Sequence, residues 1–120
     1  MNANGPLLRI VTKTIFPISD MSEAGAFYRG LGFDVEEFDE AYALVLHNDE
    51  EILHLWSAPQ LDVASNEAAG YFHVEDADFW HALWSNADIP LRVIEDRPWG
   101  MREFSFTDPS GNLIRVGHNI

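Results

Sequence analysis

The chain has no cysteine, which removes disulfides, thiol nucleophiles and thiolate metal sites together. It is almost as poor in basic residues. Lys13 is the single lysine, and with six arginines it faces 20 carboxylates, for a formal net charge of −13 over 120 residues. Nucleic acid and anionic membranes are held through basic surfaces, so neither is an expected partner. A cationic partner would be attracted, although the same acidity serves plain solubility equally well. Long apolar runs are missing too: no stretch approaches the length that spans a bilayer, and the opening Met1-Asn2-Ala3-Asn4-Gly5-Pro6 lacks the basic-then-apolar order of a secretory signal. A cytoplasmic protein is the expectation. The five histidines, at 47, 54, 73, 81 and 118, form no His-x-x-x-His helix pair. There is no Gly-x-Ser-x-Gly elbow and no glycine loop that would cradle phosphate.

What is present begins with a hairpin over residues 97–118. Asp108-Pro109-Ser110-Gly111 puts an acceptor side chain first, proline second and glycine fourth, the order of a type I turn. Before it, Phe104 and Phe106 alternate with Glu103, Ser105 and Thr107; after it, Ile114 and Val116 alternate with Leu113, Arg115 and Gly117. A period of two gives each strand one apolar face for a helix and one more polar face, free to line a cavity. Trp99 stands beside that second face at the start of the hairpin.

With 47% hydrophobic and 22% charged residues the chain should fold, and its length fits one domain over residues 1–120. Residues 7–18, apolar and β-branched, read as a strand ending near Pro17. Asp20 with Glu23 forms a capping box for a helix whose stripe is Met21, Ala24, Phe27, Tyr28 and Leu31, stopped by Gly32. Strands over 33–38, 41–47 and 51–57 follow, then a loop through Pro59. The order then repeats: a strand over 69–75, a helix capped by Asp76 with Phe79, Trp80, Leu83, Trp84 and Ala87 on one stripe, and strands near 91–94, 102–107 and 112–118. Phe27-Tyr28-x-x-Leu31 answers Phe79-Trp80-x-x-Leu83. The architecture expected is α+β: two tandem βαβββ modules, about 7–58 and 69–120 with a linker over 59–68, forming a curved mixed sheet around a groove with helices outside.

The hairpin, with Pro98-Trp99-Gly100, Arg102-Glu103-Phe104 and Asp108-Pro109-Ser110-Gly111-Asn112 in that order, resembles the closing hairpin of the glyoxalase, bleomycin-resistance and extradiol-dioxygenase (vicinal oxygen chelate) superfamily. Within it the bleomycin-type antibiotic-resistance proteins are most similar. The resemblance runs from Ile15-Phe-Pro-Ile-Ser-Asp20 through Ala26-Phe-Tyr-Arg-Gly-Leu-Gly-Phe33 to the C-terminus. Enzymes of that superfamily hold a divalent metal at four strand positions, which fall here on Lys13, His54, Ala69 and Arg115. Only His54 has ligand chemistry, and an ammonium and a guanidinium repel a cation at close range, so the resemblance implies no metal, no cofactor and no catalytic residues.

What the resemblance implies instead is a non-enzymatic cytoplasmic homodimer that sequesters a small-molecule antibiotic, bleomycin-like or another planar peptide drug. The matching positions are Phe33, Trp99, Arg102, Glu103 and Phe104. Members of that family exchange an N-terminal strand between subunits with the help of a proline; here the place is near Thr14, with Pro6 upstream. Strand alternation adds His54 and Trp56 from one strand and Tyr71 and His73 from another; Phe38, Ser105 and Arg115 complete the candidate ligand-binding set. Plain core packing is the default role of each ring, with Trp99 the exception because proline and glycine flank it. Phe79, Trp80 and Trp84 stand at helical spacing and read as core. The alternative to a binding protein is a metal-dependent lyase, isomerase or dioxygenase of the glyoxalase type.

Overall fold

Two aspartates set the rhythm of the chain. Asp20 and Asp76 both have extended backbones, and each accepts the N–H of the third residue on, Glu23 at 3.1 Å and Phe79 at 3.2 Å. A side-chain acceptor at this place satisfies one of the orphan donors that open every helix, so a helix begins after each: α1 (Met21–Gly30) and α2 (Ala77–Ser85). Around them the computed structural model, which describes residues 8–120, places the strands β1 (Thr14–Ile18), β2 (Asp34–Asp39), β3 (Tyr42–His47) and β4 (Glu50–Ser57), then β5 (Ala69–His73), β6 (Glu95–Asp96), β7 (Met101–Thr107) and β8 (Leu113–Asn119). Two βαβββ modules result, each with its own four-stranded mixed sheet, in the orders β1-β4-β3-β2 and β5-β8-β7-β6. In each sheet the first strand of the module lies parallel to the last and the other pairings are antiparallel.

The period-two patterns sort the faces. Leu53, Leu55, Phe104, Phe106, Ile114 and Val116 turn inward and are fully buried, joined by Phe16, Ile18, Tyr28 and Trp84 in one cluster that draws on both modules. Full burial of a side chain of this size stabilises by roughly 1.5–3 kcal/mol. Counted from their capping aspartates, Tyr28 and Trp84 are equivalent, and each reaches across to the other module. The Trp84 indole donates to the Leu31 carbonyl at 2.9 Å, and the Tyr28 hydroxyl donates to Asp108 at 2.7 Å. This corrects the sequence match of Phe27-Tyr28 to Phe79-Trp80.

Three further expectations change. The strand expected over 7–18 is only β1, because a ladder needs a partner and β4 pairs with β1 only from Leu53 onward; Ile10 and Val11 are exposed, and the expected start at residue 7, with Pro6 before it, lies outside the described residues. The strand expected near 91–94 makes one bond to β7, from the Arg92 N–H to the Ser105 carbonyl, and pairing as a strand begins later, at Glu95. Phe79 and Leu83 are not core. They are 57% and 47% exposed, since five residues of helix rotate Phe79 about 140° away from Trp84. Trp80 is half-buried and Ala87 falls beyond the helix.

The turn at 108–111 follows its sequence. The Asp108 carbonyl accepts from Gly111 N–H at 3.0 Å, and Gly111 has φ +84, a left-handed conformation that glycine adopts without a Cβ penalty. The Asp108 carboxylate, 4% exposed, accepts from the backbone N–H groups of Ser110 and Asn112, from the Asn112 amide and from Tyr28. Asn112 also donates to the Pro17 carbonyl at 2.9 Å, so this turn ties β1 and α1 to the second module.

Candidate functional site

The strand faces turned away from the helices carry the candidate side chains. On the second module, register sets Tyr71 of β5, Arg115 of β8 and Ser105 of β7 in one row, and His73, Gly117 and Glu103 in the next. Glu103 would be expected to be wet on this open face, yet it is 2% exposed. Tyr71 covers it and donates its hydroxyl proton at 2.7 Å, while Arg97 Nε and Arg115 Nη1 flank it at 3.7 and 3.5 Å. Glycine at 117 makes the room: a Cβ there would collide with the Tyr71 hydroxyl and lie 2.9 Å from the Glu103 Cβ. Partial desolvation of the phenol, and then the carboxylate that accepts its proton, push Tyr71 up to about 12. Arg97 pairs with Glu95 at 2.8 Å, and its buried Nε has no hydrogen-bond partner.

Arg97 also opens a tight turn. Its carbonyl accepts from Gly100 N–H at 3.0 Å, and Gly100 has φ +85. Proline at the second position pre-sets that turn, which holds Trp99 outward at 59% exposure with the Arg97 guanidinium 5.8 Å from its ring centre, within cation–π range.

The first module presents a second set. Ile15, His54 and Leu44 share one row of the sheet, and Pro17, Trp56 and Tyr42 the next. Phe38 joins them from β2, where the register slips between Glu37 and Asp39 and the extra residue leaves the regular alternation. Phe38 is 79% and Trp56 53% exposed; with Tyr42 and Leu44 they line a hollow of about 570 Å³. His54 is held at both nitrogens, Nδ1 by the Tyr42 hydroxyl and Nε2 by Glu51 Oε1, each at 2.7 Å. Residues three apart on a regular strand face opposite ways; Glu51 and His54 meet because β4 carries a bulge opposite Val45 and Leu46.

Two candidates lie elsewhere. Arg102 is on the helix face of β7, bound through its guanidinium to Asp78 of α2 and to Asp96 of β6 at 2.9–3.1 Å. Phe33 is 7% exposed among Phe72, Trp80 and Trp84; its edge borders a cleft of about 320 Å³ that His47, Tyr71 and His73 also line. The structure thus brings together Tyr71, His73, Glu103, Ser105 and Arg115 with Trp99 nearby, and separately Phe38, His54 and Trp56. Tyr42, Glu51 and Arg97 were not among the sequence candidates. Arg97 was within the motif already singled out, but Tyr42 and Glu51 depend on register and a bulge.

The four positions that the resemblance assigns to metal ligands do not carry a donor set that fits a metal. Lys13 donates to the Glu51 carbonyl at 2.6 Å, His54 has both nitrogens engaged, Ala69 offers a methyl group and Arg115 a guanidinium. Among the described residues no three His, Asp or Glu side chains converge as ligands, and zinc-type sites need at least three protein ligands of that kind.

Paired βαβββ modules, with helices on one face of each sheet and open faces carrying rings and guanidinium–carboxylate pairs, define an α+β protein of the vicinal oxygen chelate type. The chain belongs to the Glyoxalase/Bleomycin resistance protein/Dioxygenase superfamily, whose family model matches residues 10–116. Among solved structures it is similar to a bleomycin-binding protein complexed with bleomycin, at a TM-score of 0.85 and 21% identity over 93% of this chain and 100% of that one. It is similar also to the bleomycin-binding protein of bleomycin-producing Streptomyces verticillus complexed with copper(II)-bleomycin, at 0.77 and 25% over 90% and 94%. A lactoylglutathione lyase from Agrobacterium tumefaciens shares the fold at 0.72 and 20% over 91% and 92%. No curated protein matches the chain by sequence. No helix among the described residues is long and apolar enough to cross a membrane.

Proposed function

We propose that this protein is a non-enzymatic binder that sequesters a planar antibiotic, with a bleomycin-like drug as the first candidate. The observation that carries the reading is the character of the open faces. Tyr71, Trp56 and Trp99 are 43%, 53% and 59% exposed, and the positions a metal enzyme would fill with ligands hold Lys13, Ala69 and Arg115. Exposed rings in such number favour a flat guest, and stacking on each contributes on the order of 1 kcal/mol beyond area burial. The likeness to proteins solved with bleomycin bound agrees with that choice, and the net charge of −13 favours a cationic or amphipathic drug. The likeness to a lyase is one of fold, and the donor set here weighs against a metal-dependent reaction.

The proposed assembly is a two-fold homodimer. Each copy exposes Ile15, Phe38, Trp56 and Trp99, and facing another copy would enclose these side chains in grooves that use both modules. Tryptophan fluorescence titrated with bleomycin and with other planar peptide drugs tests the function. Trp99→Ala is expected to weaken binding about tenfold or more. An unchanged affinity would remove the closing hairpin from the site, and no binding by any drug of the panel would overturn the proposal.

A further inference from the structure

Glu51, His54 and Tyr42 form a chain of two hydrogen bonds of 2.7 Å each on the open face of the first module. Of the three, only the carboxylate has no proton to give. Glu51 therefore requires the proton of the imidazole at Nε2, and in the neutral ring Nδ1 is then an acceptor. The proton between Nδ1 and Tyr42 comes from the phenol. The single proton of Tyr42 is committed inside the protein, and lone pairs are all its oxygen offers outward.

Tyr42 lines the hollow together with Phe38, Trp56, Leu44 and Asp39. Carboxylates crowd this hairpin, at Asp34, Glu36, Glu37, Asp39 and Glu40, and no lysine or arginine occurs between Arg29 and Arg92. Of the three cations in the first module, Lys13 is tied to the Glu51 carbonyl and Arg29 to the Val35 carbonyl, and Arg9 lies ahead of β1. The hollow thus combines two exposed rings, an acceptor-only hydroxyl and acidic surroundings. Ring faces and lone pairs attract the same guest, since both present negative charge to it.

The geometry points to this hollow as a subsite for a flat cation that bears N–H groups. Its ring stacks against Trp56 and Phe38 and one N–H donates to the Tyr42 oxygen, while His54 and Glu51 act as positioning residues that set the polarity of the phenol. The subsite rests on the open-face binding proposed above, but it needs no particular drug.

The test uses three probes of nearly one shape: 2-naphthamidinium, which only donates; 2-naphthamide, which donates and accepts; and 2-naphthoate, which only accepts. The wild-type protein is expected to bind the amidinium most tightly. Tyr42→Phe keeps the ring and is expected to lower the amidinium-to-amide affinity ratio about tenfold, the usual scale of a hydrogen bond to a charged group. Glu51→Gln can donate to Nε2, which lets Nδ1 carry the proton and turns the Tyr42 proton outward; the ratio should fall by a similar factor. Asp88→Asn removes the same charge in the second module, outside the residues that line the hollow, and should leave the ratio unchanged. Nitrogen NMR of wild-type His54 at neutral pH is expected to show a protonated Nε2 and a bare Nδ1. The opposite tautomer, a ratio unchanged in Tyr42→Phe, or no binding of the amidinium at millimolar concentration would each overturn the subsite, even if bleomycin bound. Failure of bleomycin to bind with the ratio and its loss in Tyr42→Phe intact would support the subsite and sink only the drug assignment.

Discussion

The hydroxyl of Tyr28 on α1 donates to the carboxylate of Asp108 across 2.7 Å, although 80 residues separate them. Both are buried. Burial and the adjacent carboxylate raise the Tyr28 phenol well above its ordinary value, so it stays a donor at any working pH. Asp108 accepts from four donors, and Asp108→Ala leaves them facing a small void. An unsatisfied buried polar group costs about 1–3 kcal/mol, so a loss on the order of 3 kcal/mol or more is expected. Urea unfolding should show a much lower midpoint at unchanged slope. A midpoint within error of wild type would mean that the turn does not join the modules energetically.

Tyr71 supplies a prediction in alkali. Its folded phenol titrates at about 12 against roughly 10 in an unfolded chain, so the folded state holds the proton more tightly. Its contribution is fully present below pH 10 and is lost as pH rises toward 12. Absorbance titration of tyrosinate should contain, besides the raised phenol of Tyr28, a late component near pH 12 that disappears in Tyr71→Phe. Gly117→Ala, whose Cβ collides with the Tyr71 hydroxyl, should displace the ring from Glu103 and bring that component back toward 10. A late amplitude in Tyr71→Phe equal to that of wild type would refute the assignment.

The donor set makes a prediction about metals. Purified protein should carry no stoichiometric transition metal after dialysis and gain no thermal stability from zinc, nickel, manganese or iron, because a ligand bound to the native state stabilises it by mass action. One metal per chain by elemental analysis would revive the metal-enzyme reading.

Assembly is checked by light scattering at micromolar concentration. A dimer mass of twice 13.6 kDa is expected. Trp56→Ser, which removes an exposed ring from the open face, should shift the equilibrium toward monomer. A wild-type monomer would take away the grooves between copies and leave each open face to act alone.

Local chemistry is what the sequence by itself determined. The capping aspartates, the turn at 108–111 and the alternation of β4, β7 and β8 are decided within a few residues, by acceptor placement, the fixed φ of proline and the period of two. Those rules sufficed for the two helices, the repeated module and the burial of Leu53, Phe104 and Ile114. Tertiary structure decided whatever depends on a partner distant in sequence. Residues 8–13 look as strand-like as 14–18 and differ in pairing with no strand among the described residues. Glu51 reaches His54 through a bulge that is set by the pairing of β3 with β4. Arg102 and Glu103 are neighbours in one motif, yet adjacent residues of a strand point to opposite faces: Arg102 goes to α2, and Glu103 is buried beneath Tyr71 because position 117, fourteen residues along and across the hairpin, has no side chain.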